Sequence, residues 1–174
     1  MTPRRFKPSP IPAIVSAFTE NIEHYKPVIA SNIVYLGFEL REIGQGKFRR
    51  CYEVVGHECI VKVPRRYDPK PHHPTWRNPI HHSQIEVETL RMIMEDDKYE
   101  HLRRYVPQVY YSCLETGLVV MPHYLPPPLA GRHEEMAMLG QMFRDTLKKW
   151  TADYIQHNIM RTNDGGLVVV DLGY

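Results

Sequence analysis

The stretch "DYIQHNIMRTNDGGLVVVDLGY" (residues 153–174) decides how this chain is read. Two apolar runs flank Asn163-Asp164-Gly165-Gly166, a cluster of turn formers. The pattern predicts a loop over 153–157, a strand over 158–162, a turn, and a strand over 167–171. Such a hairpin brings the amide of Asn158 toward the carboxylate of Asp171. These are hard oxygen donors of the kind Mg²⁺ takes, with water and phosphate filling its remaining positions. Asp153, ahead of the hairpin, is placed to accept a proton from a hydroxyl. Taken singly, the three are a loop acid, a strand start and a strand end. Their joint spacing is what needs explaining.

At 174 residues the chain is one domain, or one domain with an extension, and long enough for a sizeable core. Hydrophobic residues make up 43% and charged residues 24%, the balance of a globular protein in water. Net charge is only +2, and basic doublets such as Arg49-Arg50 and Arg103-Arg104 lie among acids. That is a scattered, solvated surface, and nothing specific in it marks a nucleic-acid footprint. Cys51, Cys59 and Cys113 form no C-x-x-C and leave an odd count, which fits a reducing compartment, the cytoplasm. No apolar run approaches the roughly 20 residues of a membrane span. "IPAIVSAF" (11–18) sits between prolines and Glu20, unlike a signal peptide.

Working back from the tail, "HEEMAMLGQMFRDTLKKW" (133–150) is an amphipathic helix with apolar Met136, Leu139, Met142, Phe143 and Leu147. A run of three prolines (126–128) separates it from strands near 108–115 and 117–124, joined tightly through Gly117. Before them, Ser83 and Glu86 have capping-box spacing. They predict a helix from Gln84 to about Asp96 that buries Ile85, Leu90, Ile93 and Met94. Prolines and histidines make 64–83 irregular. Strands are expected at 51–55 and 59–63, around a turn at Gly56-His57, and "IVYLGFELREI" (33–43) reads as one strand. Residues 1–11 read as an extended arm, followed by a helix from Pro12 that carries Ile14, Val15, Phe18 and Ile22 and stops at Pro27. Three strands, a helix, two strands, a long helix and a hairpin make an α+β protein of two unequal parts.

The first part carries further candidates. "IGQGKFRRCYEV" (43–54) joins two strands, and Gly44 and Gly46 let backbone N–H groups approach a ligand such as phosphate. The same glycines suit an ordinary hairpin turn. Lys62 stands mid-strand in "CIVKV" (59–63) among apolar neighbours. A two-residue turn pairs it with Cys51, on the face beneath the glycine loop. Glu86 is either a capping glutamate or the ion-pair partner that aims Lys62, with Glu88 the weaker competitor.

In this order the motifs resemble the protein-kinase superfamily, in its small bacterial kinase-like branch. The match runs over about 36–174, and "IGQGKFRRCY…CIVKV" is similar to the start of the YrbL family. "IGQGKFRRCYEV" resembles the glycine-rich loop, "CIVKV" the third-strand lysine motif, and "IEVETL" (85–90) the helix with its glutamate. "LVVMPHYL" (118–125) resembles the fifth strand and hinge, "DYIQHN" (153–158) the catalytic loop, and "VVVDLGY" (168–174) the metal-binding D-F-G with leucine for phenylalanine.

The resemblance implies a kinase-like fold: a five-stranded antiparallel N-lobe with one helix, over 36–124, and a truncated helical C-lobe, over 125–174, behind an arm and helix at 1–35. It implies ATP and Mg²⁺ as ligands. Gly44 and Gly46 would cover the phosphates, and Lys62 would touch them while paired to Glu86. The backbone at Pro122 and Tyr124 would hold adenine, with Ile43, Cys51, Ile60 and Met121 around it. Asn158 and Asp171 would hold Mg²⁺, and Asp153 would be the base. The implied reaction passes the γ-phosphoryl group to a hydroxyl on an unidentified protein or small molecule.

The sequence departs from the pattern in four places. Arg49 replaces the third loop glycine, either adding a phosphate contact or blocking closure. Thr151-Ala152 replace the histidine and arginine before the catalytic aspartate. Ile155 stands where a cation normally steadies the moving phosphoryl group. The chain also stops where the activation segment would begin, so helices that would cover 133–150 are missing. That predicts an exposed apolar face covered by the N-terminal helix or by a second subunit. The departures favour the rival reading, a non-enzymatic, pseudokinase-like interaction module. Separately, "PHHPTWRNPIHH" (71–82) holds His72, His73, His81 and His82, a weak zinc candidate without acidic or cysteine partners.

Overall fold

The computed structural model describes residues 12–14, 16, 32–35, 38–45, 48–65, 79–126, 131–148 and 158–172. Gly46, Asp153, Ile155, His72 and His73 lie outside them, as does the whole extended arm, 1–11.

The fold is α+β. Its main sheet is antiparallel and has six strands: β1 (Asn32–Tyr35), β2 (Phe38–Gln45), β3 (Arg49–Val54), β4 (Cys59–Pro64), β5 (Tyr111–Ser112) and β6 (Val119–Pro122). The spatial order is β1-β2-β3-β4-β6-β5. Five of these are the expected strands. The sixth arises because the stretch read as one strand over 33–43 is two, paired with Tyr35 opposite Phe38. The sequence has a glycine, a turn former, between the two strands, but the alternation on either side of it masks the fold-back. The sheet therefore starts at Asn32, across the boundary drawn at residue 35.

The turn between β3 and β4 sets the register that matters most. His57 donates to the Val54 carbonyl at 3.0 Å, and Gly56 takes φ +79°, a left-handed conformation that glycine adopts at little cost. Cys51 then pairs with Lys62 and Glu53 with Ile60, as the two-residue turn predicts. Alternation sends Tyr52, Val54, Cys59, Val61 and Val63 to one face, where they pack with Leu40, Leu118 and Val120. The opposite face carries Arg49, Cys51, Ile60 and Lys62.

Helix α1 (Pro79–Glu95) packs beneath that second face. It begins at Pro79, not Gln84, because proline is tolerated in a first turn. Ser83 is therefore inside the helix and fully buried, and the expected capping box does not form. The carboxylate of Glu86 is engaged elsewhere. Leu90 and Ile93 are buried as expected, Ile85 only partly, and Met94 is 54% exposed. A 3-10 segment (Asp97–Tyr105), which the sequence reading did not foresee, follows after an Asp96 cap onto the Lys98 N–H.

Helix α2 (His133–Leu147) buries Met136, Leu139, Phe143 and Leu147. They meet Leu90, Ile93, Leu102 and Val106 on one side, and Ile159, Leu167, Val169 and Leu172 of the tail on the other. The expectation of an open apolar face is thus corrected: the chain's own α1, 3-10 segment and tail cover it. Of the expected N-terminal helix, residues 12–14 and 16 are described: they are helical, and Ile14 is wholly buried in the cluster on the outer face of the sheet, away from α2.

The tail forms the predicted hairpin, β7 (Ile159–Arg161) and β8 (Leu167–Val169), turning at Gly165 with φ +89°. Leu125, just after β6, exchanges two backbone hydrogen bonds with Arg161, at 2.8 and 2.9 Å. That bridge fastens the hairpin to the strand leaving the large sheet.

Candidate functional site

Four charged groups converge between the inner face of the sheet, α1 and the end of the hairpin. Lys62 projects from the middle of β4 and is 4% exposed. Its Nζ lies 2.7 Å from Oε1 of Glu86, which α1 presents with no exposed surface at all. Glu88, the competitor two residues on, is exposed. The pairing of Lys62 with Glu86 is therefore present as expected.

The other oxygen of Glu86 is taken by Nη1 of Arg49, and Nη2 of the same guanidinium meets Oδ1 of Asp171. Arg49 is the first residue of β3 and only 6% exposed. The contact with Asp171 is one of opposite charges, without the alignment of a hydrogen bond. Oδ1 is buried against the guanidinium, while 41% of the Asp171 side chain stays open. Asp171 also has φ +64°, a left-handed conformation uncommon outside glycine and best tolerated by Asp and Asn. Two cations and two carboxylates thus form one neutral, largely buried cluster.

Burial pulls the Lys62 ammonium down to about 7, helped by the charge of Arg49 and partly opposed by Cys51 across the strand pair. Burial likewise lowers Arg49 to about 10. Both shifts reflect the difficulty of holding charge away from water.

The remaining candidates occupy distinct places. Gly44 pairs with Cys51, and a Cβ added there would meet nothing within 4 Å among the described residues. Ile43 falls at a bulge between Glu42 and Gly44 and is 42% exposed. Ile60 and Met121 are paired across β4 and β6 on the inner face. They are buried with Val119 against Val87 and Val109, so Met121 backs the inner face without offering open surface. Pro122 ends β6 opposite Cys59. Just beyond it, His123 donates to the Glu58 carbonyl at 3.1 Å, and Tyr124 lies between that anchor and the Leu125 bridge.

The hairpin brings Asn158 beside the metal candidate: its carbonyl accepts from the Val170 N–H at 2.7 Å, next to Asp171. The side chains as placed do not fit Mg²⁺. One Asp171 oxygen is covered by a guanidinium, and an ion on the other would sit close to that buried positive charge. Of the histidine cluster, His81 is exposed and His82 is buried, stacked on Phe48 with ring centroids 3.6 Å apart. Among the described residues, no three His, Cys, Asp or Glu side chains gather as a metal site.

The sequence reading noted Arg49 only as a departure in the loop. Strand alternation holds the missing signal, because residues 49 and 51 share a face and 51 pairs with Lys62.

No protein-family model and no curated protein matches this chain. Among solved structures it is similar to WbdD in complex with the kinase inhibitor LY294002. The identity is 17% and the TM-score 0.45, over 86% of this chain and 38% of that one. This chain therefore spans well under half the length of that protein.

Proposed function

We propose that this chain is a kinase-like nucleotide-binding domain that takes ATP, with phosphoryl transfer to a hydroxyl acceptor as its reaction class. The observation that carries the reading is the buried Lys62–Glu86 pair at 2.7 Å. A lysine in the middle of a central strand costs several kcal/mol in desolvation unless it is paired. Pairing to a helix carboxylate holds the ammonium on the inner face of the sheet, the face that Cys51 shares across the strand pair. An ammonium so aimed suits the phosphates of a nucleotide.

In this reading Lys62 binds the α- and β-phosphates, and the main chain at Pro122 and Tyr124 meets the base. The hydroxyl oxygen of the acceptor attacks the γ-phosphorus, the bond to the β–γ bridging oxygen breaks, and ADP leaves. Asp153 takes the hydroxyl proton. The acceptor is a protein or a small molecule.

The second reading, a nucleotide-responsive interaction module without catalysis, is favoured by one observation: Arg49 covers Asp171. Two measurements separate the readings. Thermal stability with ATP tests binding, since ligand at about 100 times its Kd adds roughly 2.7 kcal/mol. Lys62→Met should abolish that gain. Transfer of labelled γ-phosphate to protein or to added acceptors then tests catalysis. Binding without transfer supports the module, and absence of both rejects the nucleotide reading.

A further inference from the structure

We propose that the Arg49 guanidinium is the resident cation of Asp171: it holds the place of a divalent metal, so the site takes a nucleotide triphosphate without one. The statement about nucleotide rests on the reading above; the statement about metal stands on the geometry alone.

Arg49 is fixed from both ends. Its main chain is the first residue of β3, opposite Pro64, and the hydrogen bond from Arg65 N–H to the Phe48 carbonyl at 2.8 Å closes the strand pair just outside it. Its side chain spends Nη1 on Glu86 and Nη2 on Asp171. A planar guanidinium can hold two carboxylates at once, which an ammonium does poorly. Swinging it aside to free Asp171 would strip a buried cation of one partner, and breaking one arm of a buried pair is strongly unfavourable. A divalent ion arriving at Asp171 must displace this arm or sit against it.

The charge count supports the same assignment. Lys62 neutralises Glu86 and Arg49 neutralises Asp171, so neither carboxylate repels an incoming polyphosphate. Neutralising the carboxylate at this position is work a metal ion would otherwise do. The guanidinium carries five N–H donors, more than its two carboxylate contacts consume.

The test uses Mn²⁺ alone as the first probe, its binding followed by water-proton relaxation. Wild type, Arg49→Gln, and Arg49→Gln with Asp171→Asn are compared. Freeing Asp171 should tighten Mn²⁺ binding at least about tenfold, and the second substitution should cancel the gain. Equal Mn²⁺ affinity in wild type and Arg49→Gln overturns the proposal. The second probe is ATP, read by thermal shift in EDTA and in Mg²⁺. Wild type should bind equally within about twofold, whereas Arg49→Gln should become Mg²⁺-dependent. Wild-type binding only with Mg²⁺ also overturns the proposal. No ATP binding under either condition rejects the nucleotide reading, and the Mn²⁺ comparison still decides what Arg49 does. If Arg49→Gln does not fold, Arg49→Lys, which keeps one charge but cannot bridge, replaces it in both arms.

Discussion

Glu86 offers one oxygen to Lys62 at 2.7 Å and the other to Arg49, so a single fully buried carboxylate serves two buried cations. The two sides of this arrangement are unequal. Glu86→Gln leaves both cations short of countercharge and should destabilise by about 3–5 kcal/mol. Lys62→Met leaves Glu86 still paired to Arg49 and should cost clearly less. Urea denaturation of both variants checks the order; equal losses would show that Arg49 is no effective partner for Glu86.

The Lys62 ammonium gives stability a pH dependence of definite sign. Its pKa is lowered from 10.5 to about 7 on folding, so between those values the unfolded chain binds more protons. Stability therefore rises as pH increases from about 7 toward 10, and falls to its lower plateau as pH drops through 7. Lys62→Met should flatten that part of the profile. Denaturation midpoints across pH 6–10 would expose the opposite slope if the lysine were held charged by Glu86.

Gly117 is required on two counts. Its φ is +67°, and a Cβ there would lie 2.7 Å from Pro64 Cγ and 2.9 Å from Ser83 Cβ. Gly117→Ala should thus cost more than the 1–3 kcal/mol of backbone strain alone. Gly56 has a similar φ of +79° but nothing within 4 Å. Gly56→Ala isolates the strain, and the difference in melting temperature between the two variants reports the packing clash.

Tyr52 is 1% exposed, and its hydroxyl has no hydrogen-bond partner among the described residues. Removing a buried donor that makes no bond returns its desolvation cost. Tyr52→Phe should leave stability unchanged or raise it by about 1 kcal/mol. A clear loss in calorimetry would reveal a bond through that oxygen.

How far the sequence could be read depended on the span of the interaction. The pairing of Cys51 with Lys62 follows from one short turn, and the 158–171 hairpin from one glycine-rich cluster, so both were legible. The Lys62–Glu86 contact joins neighbouring elements, and the residues themselves offer it as one of two roles for Glu86, with the resemblance favouring it. Arg49 lies far along the chain from Asp171, and no local pattern announces their contact. The helix start failed for a different reason: Ser83 and Glu86 fit a capping box, but their side chains are buried by tertiary packing. The apolar face of α2 reads as open because part of its cover, beside α1 and the tail, comes from the 3-10 segment, which has no strong periodic signal.

The paired hydrogen bonds between Leu125 and Arg161 staple the tail to the strand leaving the sheet. Arg49 stands at the opposite end of the β3–β4 pair from Cys59, the partner of Pro122, three residues before that staple. Its contacts with Glu86 and Asp171 join the sheet to α1 and to the tail a second time. The tail is thus sewn to the sheet at two separate points, one of main-chain hydrogen bonds and one of charge. Cutting the charged stitch leaves only the other.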